Sequence, residues 1–124
     1  MEQKFIVGDV VMYGNKIMII KEPRDGSHFD LSCHKERLVY CFVSVGDIKP
    51  VRLTEEILEK NGWKENKGDY IDDSHHLHLC GKYDGYSVYK VVNDYNVVWL
   101  TGVRNVSDLQ HLLFGLNINH EMEV

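Results

Sequence analysis

The chain has 124 residues, with 14 Lys and Arg against 19 Asp and Glu, which gives a formal net charge of −5. This length suits one compact domain or two small subdomains, and the average apolar and charged fractions argue against disorder. Non-specific DNA binding depends on Lys and Arg neutralising phosphates, and no basic cluster here exceeds two residues, so composition argues against a nucleic-acid partner.

Cysteine usage and hydropathy predict a cytoplasmic protein with no membrane partner. The three cysteines are widely spaced and form no C-x-x-C pair, which favours free thiols over a disulfide framework. No apolar run approaches the ~18 residues that span a bilayer, and the N-terminus lacks the basic and apolar regions of a secretory signal. Cys41, inside the apolar run "LVYCFV", is expected to be buried.

The first third of the chain predicts a small antiparallel sheet. "FIVGDVVMY" and "KIMIIK" flank Gly14-Asn15, the pattern of a tight hairpin. "HFDLSC" alternates Phe29, Leu31 and Cys33 as a half-buried strand does, and "RLVYCFV" has the continuous apolar character of a central strand. Four short strands joined by tight turns predict an SH3-like antiparallel β-barrel or hairpin unit over residues 1–51.

Residues 52–124 are predicted to form an α+β subdomain. "TEEILEKNG" predicts a short helix with Thr54 as N-cap and Gly62 after its last turn. The segments "GDYIDD", "HLHLC", "YSVYKVV" and "NVVWLT" predict a second antiparallel sheet.

The C-terminal segment predicts a second helix that covers this second sheet. Ser107 and Gln110 have the spacing of a capping box. An apolar stripe follows at helical spacing, formed by Leu109, Leu112, Leu113 and Leu116. We therefore predict an α+β fold in which the two subdomains form one compact unit.

The stretch "DDSHHLHLC", Asp72 to Cys80, resembles a metal site. On a strand, His76 and His78 would share one face with Cα atoms ~6.6 Å apart, close enough to bind one zinc ion. Zinc requires three or four ligands, so a third would come from Asp72, Asp73 or His34. The alternative is a partly exposed strand whose histidines face water, with no cofactor bound.

Tyrosines in the second half predict a contact surface formed by Tyr83, Tyr86 and Tyr89, because tyrosine is enriched in binding patches. The predicted sheet edges carry no obvious feature that would protect them against pairing with another strand. Pairing of two such edges would produce a homodimer.

The segment "DIKPVRLTEEILEKNGW", residues 47 to 63, resembles a segment of a family of small uncharacterised proteins from gut-bacterial phages and mobile elements. The C-terminal "LQHLLFGL" with the acidic end "EMEV", and the opening hairpin, are similar to that family as well. The resemblance covers most of the chain and implies no catalytic residue, and the histidine-rich strand is not part of the pattern.

These observations favour a non-catalytic accessory or protein-interaction domain of a phage or mobile element, with another protein as its partner. Two alternatives remain open. One is a metal-dependent hydrolase that uses His76 and His78, and the other is a nucleic-acid adaptor that uses the N-terminal barrel.

Overall fold

A computed structural model describes residues 5–33, 37–81, 85–93 and 96–124. Contacts between Cα atoms divide the chain into two compact units. The first unit contains Met1–Val51, Val106–Met122 and Val124, and the second contains Arg52–Asn105 and Glu123. The C-terminal helix groups with the first unit.

The first unit contains a five-stranded antiparallel sheet in the order β4-β3-β2-β1-β5. A single 3-10 turn precedes the last strand. The strands are β1 (Val10–Tyr13), β2 (Lys16–Asp25), β3 (His28–Cys33), β4 (Leu38–Ser44) and β5 (Ile48–Pro50).

The opening hairpin is confirmed. Tyr13 pairs with Lys16 across the turn, where Gly14 has φ +63°, a conformation that glycine adopts without steric cost. Strand β2 extends through Pro23, beyond the expected end, because two register shifts against β3 accommodate the proline.

The core of this unit consists of apolar side chains from all five strands and the preceding segment. Phe29 and Leu31 alternate inward from β3 as expected. The buried cluster is Phe5, Val11, Met18, Ile20, Phe29, Leu31, Val43 and Ile48. No strand pairing closes this sheet within the described ranges, so the structure establishes an α+β fold without confirming the SH3-like barrel.

Two expectations for the run "LVYCFV" are wrong. Strand β4 lies at the edge of the sheet rather than at its centre, and Cys41 is exposed rather than buried. Val39 and Phe42 are exposed as well. Phe42 has φ +57° and coincides with a register shift against β3, so the strand is bulged and cannot bury every apolar residue.

The C-terminal helix, α2 (Val106–Gly115), contacts β1 of the first unit, which corrects the prediction that it covers the second sheet. Leu109 and Leu113 are buried, as the stripe predicted, whereas Leu112 is only half-buried and Leu116, which follows the helix, is exposed. Val10 and Val11 are adjacent on β1 and both are buried, as expected for a strand covered on both faces.

The second unit contains a five-stranded antiparallel sheet in the order β10-β9-β8-β7-β6, together with helix α1 (Glu55–Lys60). Thr54 caps α1 by accepting a hydrogen bond from the backbone N–H of Ile57, and Gly62 has φ +87°, as predicted. The strands are β6 (Lys64–Asn66), β7 (Asp69–Asp72), β8 (Leu77–Gly81), β9 (Tyr86–Asn93) and β10 (Asn96–Val103).

The inner face of this sheet carries the buried residues Tyr70, Leu77, Leu79 and Val88, and α1 contributes buried Ile57 and Leu58. Strand β6 was not predicted, because "KEN" contains no apolar residue. In the portion of the chain described, no helix is long and apolar enough to cross a membrane.

Candidate functional site

The histidines predicted to bind metal do not have the assumed strand geometry. His76 precedes β8 and has φ +57°, so the alternation of a strand does not apply to it. His78 lies within β8, opposite Tyr89 on β9 and Ile71 on β7. The expectation that His76 and His78 share one strand face is therefore not met.

The neighbouring polar residues form a local turn. Asp72 accepts a hydrogen bond from His75, with 2.7 Å between Oδ2 and Nδ1, and it also accepts from the backbone N–H of Ser74. Within residues 5–33, 37–81, 85–93 and 96–124, no three His, Cys, Asp or Glu side chains are grouped to hold a metal ion. His34, one of the proposed third ligands, lies outside the described residues.

The predicted tyrosine surface is divided between the two faces of the sheet. Tyr86 lies on the inner side, with its ring centroid 6.4 Å from that of buried Tyr70 in an edge-to-face contact. Burial, and then the charge of Glu55, raise the pKa of Tyr86. Tyr89 is three residues further along β9 and therefore lies on the outer face. Tyr83 lies outside the described residues.

The outer face of the second sheet carries a row of large side chains, one from each of four adjacent strands. Ile71 pairs with His78, His78 with Tyr89, and Tyr89 with Trp99. Directly paired residues in antiparallel strands point to the same face, so these four side chains lie side by side. We call them the outer row.

The outer row ends beside four exposed apolar residues of the β9–β10 hairpin, which we call the β10 patch. Val97 and Trp99 lie on the outer face, whereas Val98, paired with Lys90, lies on the inner face. Val92, Val97, Val98 and Trp99 are 60%, 58%, 50% and 59% exposed. Large apolar residues exposed singly are common, but four together on one hairpin are typical of an interaction site. Tryptophan is among the residues that contribute most to binding energy at protein interfaces.

Strand β10 is also an edge strand with no charged residue. Its eight residues, "NVVWLTGV", contain neither Lys, Arg, Asp, Glu nor Pro. The opposite edge of the same sheet is the three-residue strand β6, which carries Lys64 and Glu65. Short length and charge are common protections of an edge strand against pairing, and β6 has both whereas β10 has neither.

The edges of the first sheet are protected in other ways. Strand β5 is three residues long and contains Lys49 and Pro50. Strand β4 is interrupted at Phe42, whose N–H donates to buried Asp30 at 2.9 Å and whose ring stacks on His28 at 4.2 Å. This fixed bulge bends β4 and disrupts regular pairing along it.

Register shifts divide β10 into regular stretches. The pairing with β9 shifts between Asn96 and Val97 and again between Trp99 and Thr101. Val97–Trp99 therefore forms an uninterrupted stretch between two irregularities, and it contains the three exposed apolar residues of this strand. The sequence signal that could have identified this site is the absence of charge from the run "NVVWLTGV".

A second polar cluster lies in the first unit, where α2 meets β1. The buried Gln110 side chain accepts a hydrogen bond from the N–H of Val10 at 2.8 Å and donates to the carbonyl oxygens of Gly8 and His120 at 2.8 and 2.9 Å. The predicted capping box is therefore wrong, because Gln110 faces the protein interior. Ser107 Oγ is buried with no partner among the described atoms.

Asp9 and His111 form an ion pair in the same region. Asp9 is fully buried, and its Oδ2 lies 2.6 Å from His111 Nε2 and accepts from the N–H of Ile6 at 2.9 Å. The hydrogen bond to Asp9 raises the pKa of His111, burial opposes this shift, and the charges of Asp9 and Asp108 add to it. The Asp9–His111 contact connects the start of β1 with α2, and the His111 imidazole is the group that titrates.

This ion pair predicts that stability falls as the solution becomes more basic. The pKa of His111 is higher in the folded state than its ordinary 6.5, so the stabilisation is fully present below about pH 6.5 and is lost as pH rises through the folded pKa. The His111 side chain is 35% exposed, and solvent screening should keep the effect below about 1 kcal/mol. Urea unfolding of the wild type at pH 6 and at pH 8.5 measures it, with both values chosen to bracket the ordinary histidine pKa.

The matched control is His111→Gln, which removes the titrating ring. This variant is expected to show a smaller loss of stability between the two pH values than the wild type. An identical loss in both proteins would show that the ion pair makes no contribution.

Comparisons with protein-family models, with curated proteins and with solved structures found no match for this chain.

Proposed function

We propose that this chain is a non-catalytic accessory domain, of the kind carried by phages and mobile elements, that acts by binding another protein chain through strand β10. The observation that carries the proposal is the exposure of Trp99, Val97 and Val98 on an uncharged edge strand. An added strand would satisfy the free backbone groups of that edge, while the apolar side chains would supply the energy of desolvation.

The distribution of polar groups supports a binding function over a catalytic one. The hydrogen-bonding groups of Gln110 are directed at backbone atoms of the first unit, and the Asp9–His111 pair connects α2 with β1. Gln110 and the Asp9–His111 pair therefore stabilise the first unit. The exposed side chains of the β10 patch, by contrast, are not buried in the core of their own sheet.

The first unit is proposed to be an SH3-like unit. Its strand order β5-β1-β2-β3-β4, with a 3-10 turn before the last strand, agrees with a small SH3-like sheet. The net charge of −5 still favours a protein over a nucleic acid as the partner.

Site-specific photo-cross-linking tests the proposed function. A benzophenone amino acid replaces Val97 in the full chain, and a matched control carries it at Glu65 on the protected edge of the same sheet. Irradiation of the purified protein and of a cell extract should give a discrete protein adduct from position 97 but not from position 65. The adduct should disappear when Trp99→Lys is added, while far-UV circular dichroism shows that the fold is retained.

Equal labelling at positions 97 and 65, or no protein adduct at position 97, would contradict the proposal. An adduct of twice the chain mass identifies a second copy. An adduct of another mass identifies a different protein.

A further inference from the structure

We propose that the partner bound by β10 is a second copy of this chain, joined by antiparallel pairing of β10 with β10 about a two-fold axis at Val98. This inference rests on the proposed function and names its partner. The paired strands would join two five-stranded sheets into one continuous ten-stranded sheet.

The two register shifts in β10 determine the register of the proposed pairing between copies. Val97–Trp99 is bounded by a register shift on each side, and Val98 is its central residue. A two-fold axis at Val98 places each regular stretch directly opposite its copy, so the irregular positions flank the new pairing instead of interrupting it. A shift by one residue would place a bulged position opposite the regular stretch.

The side chains are complementary in this register. Val98 lies opposite Val98 of the second copy, and Val97 lies opposite Trp99 of the second copy. Directly opposed residues share a face, so Val97 and Trp99 of both chains lie on the outer face, beside Tyr89. Pairs of an aromatic and a β-branched residue are favourable across strands, and each large indole meets a small valine.

Charge also favours a second copy. Because β10 carries no charged residue, self-pairing brings no like charges directly opposite each other, which is the usual obstacle to a symmetric edge contact. A partner that used charge for recognition would find no complement on this strand. Two-fold pairing also closes the assembly at two chains, because each copy uses its exposed β10 edge once.

The exposed side-chain area of β10 suits a reversible dimer. The exposed fractions of Val97, Val98 and Trp99 on β10 correspond to roughly 250 Å² of side-chain surface per chain when applied to ordinary side-chain areas. Two copies would bring together at most about 500 Å² from these side chains, and the backbone edges and neighbouring residues add to this. The total stays below the ~1,200 Å² at the lower end of stable interfaces, which indicates a weak, reversible dimer.

The net charge predicts how salt affects this association. Each copy carries −5, so the two chains repel one another at long range, while the interface itself contains no ion pair from β10. Raising the ionic strength screens the repulsion and leaves the apolar contact in place. Dimerisation should therefore strengthen with salt, the opposite of an interface held together by charges.

Sedimentation equilibrium of the full chain tests the dimer. The wild type should show a concentration-dependent increase from 14.4 kDa toward twice that mass. Val98→Lys places two ammonium groups opposite each other at the axis and should weaken association by roughly a hundredfold or more. The matched control Asn66→Lys adds the same charge to the protected β6 edge and should associate like the wild type.

A cysteine at the axis tests the register. In a Cys41→Ser background, which removes the exposed native thiol, Val98→Cys places two thiols on directly opposed residues, a separation that suits a disulfide. Mild oxidation should convert most of the protein to a covalent dimer, whereas Asn66→Cys in the same background should remain mostly monomeric.

The outcomes separate the two proposals. A wild type that remains monomeric at high micromolar concentration, or a Val98→Lys variant that associates as well as Asn66→Lys, would overturn the homodimer. If position 97 then cross-links to a protein of a different mass, the proposed function stands with another partner. If position 97 cross-links to nothing, both proposals fail.

Discussion

Replacing Gln110 with alanine is expected to destabilise the first unit by about 3–4 kcal/mol. The side chain is fully buried and bonds three backbone groups, which belong to Val10, Gly8 and His120. The substitution would leave one N–H and two carbonyl oxygens without their partner and would open a cavity beside β1. A buried polar group without a partner costs about 1–3 kcal/mol, and the cavity adds to that cost.

Urea unfolding followed by far-UV circular dichroism measures the effect of Gln110→Ala. The matched control is Phe114→Ala on the same helix, which removes a larger side chain that is 59% exposed. The control should cost less than about 1 kcal/mol, because exposed substitutions rarely cost more. Equal effects of the two substitutions would show that the buried amide does not hold α2 against β1.

Replacing Leu79 with alanine is expected to destabilise the second unit by about 2–5 kcal/mol. Leu79 is fully buried at the centre of β8, directly paired with Tyr70 on one side and Val88 on the other, and both neighbours are buried. Truncation at the centre of a packed sheet face removes apolar contacts and leaves a cavity that the two neighbouring strands cannot fill.

The fluorescence of Trp63 reports this change, because its side chain is only 6% exposed within the second unit. A Trp99→Phe background removes the signal of the exposed indole. The control His78→Ala lies next to Leu79 on the opposite face and is expected to cost less than about 1 kcal/mol. A smaller loss for Leu79→Ala than for His78→Ala would mean that the inner face of the sheet is not its core.

Stability and binding are expected to separate in these variants. Gln110→Ala and Leu79→Ala act on buried positions, whereas Val98→Lys acts at an exposed edge. The first two should therefore lower the free energy of unfolding, while Val98→Lys should change association and leave the monomer fold intact. That separation is what a contact surface on a stable scaffold requires.

Turns and helix caps depend on residues close together in the chain, so the sequence predicts them. The hairpin at Gly14, the Thr54 cap and Gly62 all depend on local backbone geometry, so residue type alone predicts them. In the hairpin of β8 and β9, Cys80 lies opposite Ser87 and His78 lies opposite Tyr89. Alternation on these strands limited the choice to a few registers.

Contacts between residues far apart in the chain could not be predicted from the sequence. The leucine stripe showed that α2 buries one face, but not that β1 lies beneath it. Gln110 had the spacing of a cap, and only the approach of Gly8 and Val10, some hundred residues away in sequence, gave its amide better partners. The sequence pattern predicts a strand at His76, but its backbone has φ +57° just before β8 begins.

The sequence by itself determined the α+β class, most of the strands and both helices, because side-chain periodicity and turn chemistry act over a few residues. Only the tertiary structure decided which strands lie at the edges. The apolar run "LVYCFV" has the sequence character of a central strand but lies at an edge, and "NVVWLT" also lies at an edge, where it leaves Trp99 exposed. An apolar run looks the same wherever it lies in a sheet, since its position depends on which strands pair on either side.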